Sequence, residues 1–240
     1  MSINITNEDN MELMARYPDK YFDLAIVDPP YGINAPNMKM GENNGYKSTA
    51  SKVKGRLNSG SGKLKNRILN SSNIDWDNEI PSSEYFNELF RVSKNQIIFG
   101  GNYFPLPPTR GIIFWDKLQP WENFSQFELA WTSFDKPAAK IAISTTGGAN
   151  KEKKIHPTQK PVELYKWIFK KYGSPEFKYL DTHHGSGSIS IAYHDMINYW
   201  KILEKDVSNS ELIGCDKNET HYKDSIERIQ KHIQQQTLFQ

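Results

Sequence analysis

Apolar positions fall in short, sharply bounded runs, and the sharpest is Asp23-Leu-Ala-Ile-Val-Asp28-Pro29-Pro30-Tyr31. A run this short and rich in β-branched residues predicts a buried strand. Two prolines stop it; they donate no backbone hydrogen bond and hold the residue before them extended. The strand end therefore projects one carboxylate, a pair of backbone carbonyls and one aromatic face into a common space. That set suits a planar amine, whose N–H groups meet acceptors while the ring stacks on the face.

The pattern predicts further elements on both sides of this run. Residues 7–16 read as a short helix with acids in its first turn and Arg16 at its end, broken by Pro18-Asp19-Lys20. Ser82 to Val92 reads as a helix, and Asn95-Gln-Ile-Ile-Phe-Gly100-Gly101-Asn102 as a strand ending in a tight glycine turn. Gly111–Asp116 and Phe127–Thr132 read as strands. From Pro161 to Tyr172, Val162, Tyr165, Ile168 and Phe169 share one helical face, with proline at the first helical position.

A second informative stretch is Lys178-Tyr-Leu-Asp181-Thr-His-His-Gly185-Ser186-Gly187, a strand, a carboxylate, a glycine turn and a helix beginning near Ser186. Glycines let backbone approach a ligand closely, and a helix N-terminus favours an anionic group. The turn lacks the third glycine of the dinucleotide fingerprint, which argues against NAD. The next strand, Glu211–Asp216, carries an acid at its tip, where nucleoside-binding α/β proteins accept ribose hydroxyls. A closing helix runs from Glu219 to about Gln234. Strands alternating with helices make the chain α/β, a mostly parallel sheet with helices on both faces.

Composition bounds this picture. At 240 residues the chain is most economically one domain with a substantial core. A net charge of +2 gives no global basic field, so any nucleic-acid signal is local. One such signal lies within 34–72, a Gly/Ser/Asn/Lys-rich insertion. Between Ala35 and Asn70 its eight basic residues face Glu42 as the sole acid, the excess that phosphate contact needs. A second polar, basic segment spans 136–155. The single cysteine, Cys215, forms no internal disulfide and fits a reducing compartment. There is no signal segment and no apolar run of membrane-spanning length, so a cytoplasmic protein without membrane contact is expected.

Together, Asp28-Pro-Pro-Tyr31 and the later Asp181–Gly187 turn resemble the S-adenosylmethionine-dependent amino DNA methyltransferases in the permuted, β-class motif order. Asn7-Glu-Asp9-Asn10, Phe99-Gly-Gly-Asn-Tyr-Phe104, Asn123–Trp131 and His156-Pro-Thr-Gln-Lys-Pro-Val-Glu-Leu164 extend the resemblance over nearly the whole chain. It implies a Rossmann-like methyltransferase fold. It also implies that Asp28 and the carbonyl of Pro29, held by Pro30, accept the target amine while Tyr31 stacks on the base. In-line transfer then needs no metal and no cysteine nucleophile. Because the amine lies inside duplex DNA, the base must be flipped out. Asp181, Gly185, Ser186 and Gly187 are implied to hold the methionine part of the cofactor, with Thr158 and Lys160 near its carboxylate. Asp216 falls on the ribose, and Asp9 with Asn10 near the adenine amine. S-adenosylhomocysteine is the implied product.

One position departs from the family: His183 stands where a Phe before the glycines is usual, which implies altered cofactor binding and a pH dependence through His183 or His184. Asp at the first motif position resembles adenine-N6 enzymes more than cytosine-N4 ones. Methylation of RNA or of protein glutamine, and a binding module without turnover, are the alternatives. Segment 136–155 is the expected reader of DNA sequence, with the insertion as a second clamp. The tail Gln235-Gln-Thr-Leu238-Phe239 resembles the short peptides that dock on bacterial sliding clamps, in keeping with a bacterial, phage or mobile-element setting; monomer and homodimer stay equally open.

Overall fold

The computed structural model describes residues 2–34, 39–40, 67–68, 77–119, 125–145, 154–156 and 158–237. Its ten strands are β1 (Ser2–Thr6), β2 (Phe22–Val27), β3 (Lys39–Met40), β4 (Arg67–Ile68), β5 (Ser93–Phe99), β6 (Ile112–Asp116), β7 (Phe127–Thr132), β8 (Ala139–Ala142), β9 (Lys178–Asp181) and β10 (Glu211–Cys215). The helices are α1 (Asn10–Ala15), α2 (Ser83–Val92), α3 (Val162–Tyr172), α4 (Ser188–Ile202) and α5 (Glu219–Thr237), with a 3-10 turn at Gly101–Tyr103.

Eight strands form one sheet in the order β1-β10-β9-β2-β5-β7-β6-β8. The five from β1 to β5 are mutually parallel, and β7 is antiparallel to β5 and β6. The period-two alternation of β2 explains why this run is apolar throughout. Leu24 and Ile26 face one core with Leu164, Ile168 and Phe169 of α3 and Tyr193 and Ile197 of α4. Ala25 and Val27 face the other, with Leu13 and Met14 of α1 and Tyr85 and Leu89 of α2, and Phe22 at the strand's first position packs into that same cluster. A strand covered on both faces has no polar side to show. Each fully buried Leu, Ile or Phe here contributes about 1.5–3 kcal/mol of transfer free energy.

The connections fix where a ligand can enter. From β2 the chain crosses through α2 to β5 on one side, and from β9 it crosses through α4 to β10 on the other. The crossovers thus diverge between β9 and β2, and the crevice at the carboxyl ends of those strands is where open α/β sheets bind ligands.

The elements differ from the sequence expectation at edges and ends. β1 and β8 are edge strands inside stretches that carry no apolar run; of β1 only Ile5 is buried. The first helix starts at Asn10, because the Asp9 side chain caps it on the Met11 N–H at 2.9 Å. Pro161 is the N-cap of α3, and Gly187, at φ +74°, the N-cap of α4. Helix α5 continues to Thr237, so Gln235 of the expected tail is helical; residues 238–240 lie outside the described residues. Most of the 34–72 insertion lies outside them too, apart from 34, 39–40 and 67–68, the last two pairs forming an antiparallel ladder, Lys39 opposite Ile68 and Met40 opposite Arg67. Among the described residues no helix is long and apolar enough to cross a membrane.

Candidate functional site

Asp28 follows the last residue of β2, and the two prolines after it hold the chain so that Tyr31 folds back over the same strand end. The Tyr31 hydroxyl lies 2.6 Å from Asp28 Oδ1 and 2.7 Å from Glu128 Oε1. Lys160 Nζ pairs with Asp28 Oδ2, lies 2.9 Å from Glu128 Oε1 and donates to the Tyr31 hydroxyl at 3.3 Å. Glu128 Oε2 is held in turn by Lys117 Nζ at 2.9 Å.

The sheet explains this meeting. β7 runs antiparallel to β5, so its first residues emerge at the edge where β5 ends. β6 ends there as well, with Asp116 opposite Phe127, which brings Lys117 beside Glu128. Lys160 is the last residue but one before α3 and is 4% exposed at its side chain, whereas Asp28 keeps 22% open. Burial, with Glu128 beside it, pushes the Asp28 carboxyl above the usual range against the pull of Lys160. Glu128 is buried too, yet Lys160 and Lys117 bring it down to about 2. Burial and the two carboxylates keep the Tyr31 hydroxyl protonated.

The aromatic face of the motif is a two-ring shelf. Tyr31 stacks on Tyr103 with centroids 4.9 Å apart and planes 12° from parallel, and Tyr103 is 40% exposed. Beneath lies Gly100, at φ +68°, where a Cβ would sit 2.3 Å from Tyr31 Cε1. Asp77, buried just beyond the insertion, closes the turn: its Oδ1 accepts the N–H groups of Tyr31 at 2.5 Å and Gly32 at 2.9 Å.

One strand over, Asp181 ends β9. Its Oδ1 accepts the His183 N–H at 3.0 Å, but burial and the nearby Asp28 and Asp216 charges push its carboxyl up to about 8. Asp216, at the end of β10, accepts the Gly185 N–H and the Asn218 N–H at 2.8 Å each, and burial raises it as well. Gly185, at φ +53°, faces open space, since a Cβ there meets nothing nearer than the His183 carbonyl at 3.8 Å. Gly187 is close-packed instead, its Cβ position lying 3.1 Å from Ile229. The buried Ser186 receives Arg228 on its carbonyl at 2.7 Å.

His183 is oriented rather than loose. Asn10 Nδ2 lies 3.2 Å from Nε2 and Thr182 Oγ1 2.9 Å from Nδ1, while Tyr85 packs edge-on at 5.3 Å. The amide nitrogen can only donate, so Nε2 accepts and Nδ1 carries the proton. Burial holds the ring neutral, its pKa lowered to about 4. His184 sits inside the fold between Ser190 and Ser225, likewise neutral, with a pKa of about 3. Asp9 caps α1 and pairs with Lys217 at 3.0 Å. Thr158 Oγ1 lies 3.2 Å from His156 Nδ1, and the His156 ring meets His221 at 4.5 Å, which connects this segment to the Asp216 side. Lys160 points the other way, into the Asp28 cluster. Cys215 is buried against the Thr182 carbonyl, and burial pushes its thiol up.

The sequence-predicted residues thus assemble into two adjoining groups: Asp28–Tyr31 with Lys160, and Asp9, Asn10, Asp181, His183, Gly185–Gly187 and Asp216. Glu128, Lys117 and Asp77 are the additions. A charge inside the apolar run Phe127-Glu-Leu-Ala-Trp131 was the available signal for Glu128; Lys117 and Asp77 carry none. A separate group, His194, Asp195 and His232, has the donor types of a metal site. Lys166, 2.7 Å from Asp195 Oδ2, already supplies a cation there, and the group ties α3, α4 and α5 together.

No family model matches this chain, and no curated protein does. Solved structures do match over almost the whole length. M1.HpyAVI in complex with SAM aligns over 95% of this chain and 98% of its own, at 17% identity and TM-score 0.56. The cytosine-N4-specific PvuII DNA methyltransferase aligns over 97% and 91%, at 12% identity and TM-score 0.53. TTHA0409 of Thermus thermophilus aligns over 96% and 95%, at 12% identity and TM-score 0.50. At these identities the likeness is one of fold, and this chain has the Rossmann-like methyltransferase fold.

Proposed function

We propose that this chain is an S-adenosylmethionine-dependent DNA methyltransferase acting on the exocyclic N6 amine of adenine in duplex DNA. One observation carries the reading: two acid-tipped strands, β2 ending at Asp28 and β9 ending at Asp181, are parallel neighbours, Ala25 level with Leu180, on either side of the point where the crossovers diverge. An acceptor for an amine and a cradle for a nucleoside cofactor then face one crevice.

The residues of the β9–β10 side fit the cofactor. A carboxyl raised to about 8 by burial is short of positive charge, and the ammonium of the methionine part supplies it at Asp181. Gly185 leaves room for close approach. Asp216, pinned by two backbone N–H groups, keeps lone pairs for ribose hydroxyls. Asp9, Asn10 and His183 line the adenine end, and Thr158 approaches through His156 and His221. S-adenosylmethionine supplies an electrophilic methyl group and leaves as S-adenosylhomocysteine.

The β2 side handles the amine. Asp28 and the Pro29 carbonyl accept its N–H groups, which favours the lone pair over its delocalisation into the ring, and the Tyr31–Tyr103 shelf stacks on the flipped base. Holding nucleophile and methyl group in line supplies most of the acceleration. Adenine is favoured by the Asp at the first motif position. Cytosine N4 is the second reading, favoured by the likeness to the PvuII enzyme. The basic residues of 34–72 and of 136–155 neutralise DNA phosphates.

The test is incubation with S-adenosylmethionine and sequence-rich unmethylated duplex DNA, digestion to nucleosides and mass spectrometry. N6-methyladenine is expected. N4-methylcytosine keeps the chemistry and overturns the base; no methylated nucleoside overturns the reading.

A further inference from the structure

Five polar side chains meet at the end of β2, and their protons do not divide evenly. The Tyr31 hydroxyl has a single proton yet lies within hydrogen-bond distance of both Asp28 Oδ1 (2.6 Å) and Glu128 Oε1 (2.7 Å). Its oxygen also receives Lys160 at 3.3 Å. With both acids ionised, one carboxylate oxygen would face the phenol oxygen with no proton between them. The two acids therefore compete for a shared proton, and their surroundings differ. Glu128 has two ammonium partners, Lys160 and Lys117, both at 2.9 Å. Asp28 shares Lys160 and has no lysine of its own among the described residues.

We propose that Glu128 is a positioning residue for the methyl transfer: fixed as an anion by Lys117, it orients Tyr31 and Lys160 so that Asp28 is the group that takes the proton the methylated amine sheds. The inference rests on the proposed function and adds a division of labour to it. In the transfer the amine nitrogen forms a bond to the methyl carbon. The carbon–sulfur bond breaks, and its electron pair stays on sulfur. The nitrogen, now with one bond too many, loses an N–H proton to an Asp28 oxygen, so charge balances without any further reactant. Two acids pushed apart by their environments mark the acid–base assignment. The raised Asp28 and the lowered Glu128 agree with it.

Asp28 is also faced by Asp181 from β9, Tyr165 from α3 and Tyr85 from α2. Those phenols keep their protons, and Asp181 acts on Asp28 equally in every variant below. Lys117 acts on Asp28 through Glu128, whose charge it holds.

The experiment compares the wild type with Glu128→Gln and Lys117→Met in two readouts. The first is the pH profile of single-turnover DNA methylation. The second is an infrared titration of the protonated-carboxyl band that Asp28→Asn removes. Glu128→Gln loses a like charge beside Asp28, so the acid limb and the band midpoint move down by about one pH unit, with kcat falling about a hundredfold. Lys117→Met frees Glu128 to take the shared proton, so the band that Asp28→Asn removes shrinks in favour of a Glu128 carboxyl band, while cofactor affinity is unchanged. A purely structural role leaves the midpoint unmoved in Glu128→Gln and the Asp28 band undiminished in Lys117→Met, and either result overturns the proposal. If Glu128→Gln does not fold, the loss of the Asp28 band in Lys117→Met decides alone. Absence of a methylated base in the wild type strikes the proposed function, and the infrared midpoints still judge the pairing of the two acids.

Discussion

Tyr31 rests on Gly100 so closely that a Cβ at that glycine would lie 2.3 Å from the ring. The tyrosine is the aromatic face of the β2 motif and the glycine ends β5, so the shelf exists because two neighbouring strands end together. Gly100→Ala both strains a backbone at φ +68° and displaces the ring. The expected outcome is a folded protein destabilised by roughly 1–3 kcal/mol, with methylation reduced at least a hundredfold and cofactor affinity retained. Guanidinium unfolding and single-turnover assays check it, and unchanged turnover would refute the stacking role.

Lys160 is the shared cation of Asp28 and Glu128. Lys160→Met leaves two buried carboxyls facing each other, and breaking such a pair costs about 3–5 kcal/mol. The loss should fall below half that value when Glu128→Gln is added, since the remaining like charge is then gone. A double-mutant cycle of unfolding free energies measures this coupling, and strict additivity would show that Lys160 acts elsewhere.

How far this site was legible in the sequence follows from what punctuates a chain. Asp28–Tyr31 and Gly185–Gly187 stand out because prolines and glycines cannot hide, and the apolar runs of β2, β5 and β9 announce strands buried on both faces. Glu128 lay inside the stretch Asn123–Trp131, but nothing local says that β7 turns antiparallel and brings it to Asp28. Asp77 reaches Tyr31 across 46 residues, a contact with no local trace. The edge strands β1 and β8 were not legible because an edge strand buries little: Ile5 in β1, and in β8 none fully. Lys160 was expected beside the cofactor; its spacing before α3 was visible, and the direction of its side chain was not.

Three buried histidines make the fold sensitive to acid. Burial holds His156 and His184 at about 3 and His183 at about 4, below the ordinary 6.5, so all three are neutral when folded. The unfolded chain binds protons there first. Their contribution to stability is therefore full above about 6.5 and is lost as pH falls toward 4. Denaturant midpoints at pH 7.5 and pH 5 should differ by well over the error of the method, and His184→Gln should narrow the gap. A midpoint unchanged between these pH values would contradict the buried, neutral assignment.

Asp181 makes the opposite demand and, as the carboxylate proposed to hold the cofactor ammonium, should tie that binding to pH. Its folded pKa of about 8 lies above the ordinary 3.8, so the folded protein holds a proton that the unfolded chain has released. Without ligand, this group's contribution to stability is present below about 4 and declines as pH rises through 8. A ligand carrying an ammonium group needs the ionised carboxylate, so its affinity should rise from pH 6.5 to 8. S-adenosylmethionine binding by calorimetry across that range should tighten several-fold and release a proton at the lower pH. Asp181→Asn should bind more weakly and lose both the pH trend and the proton release. If the trend survives in Asp181→Asn, the proton belongs to another group, and Asp216, also raised by burial, is the next to replace.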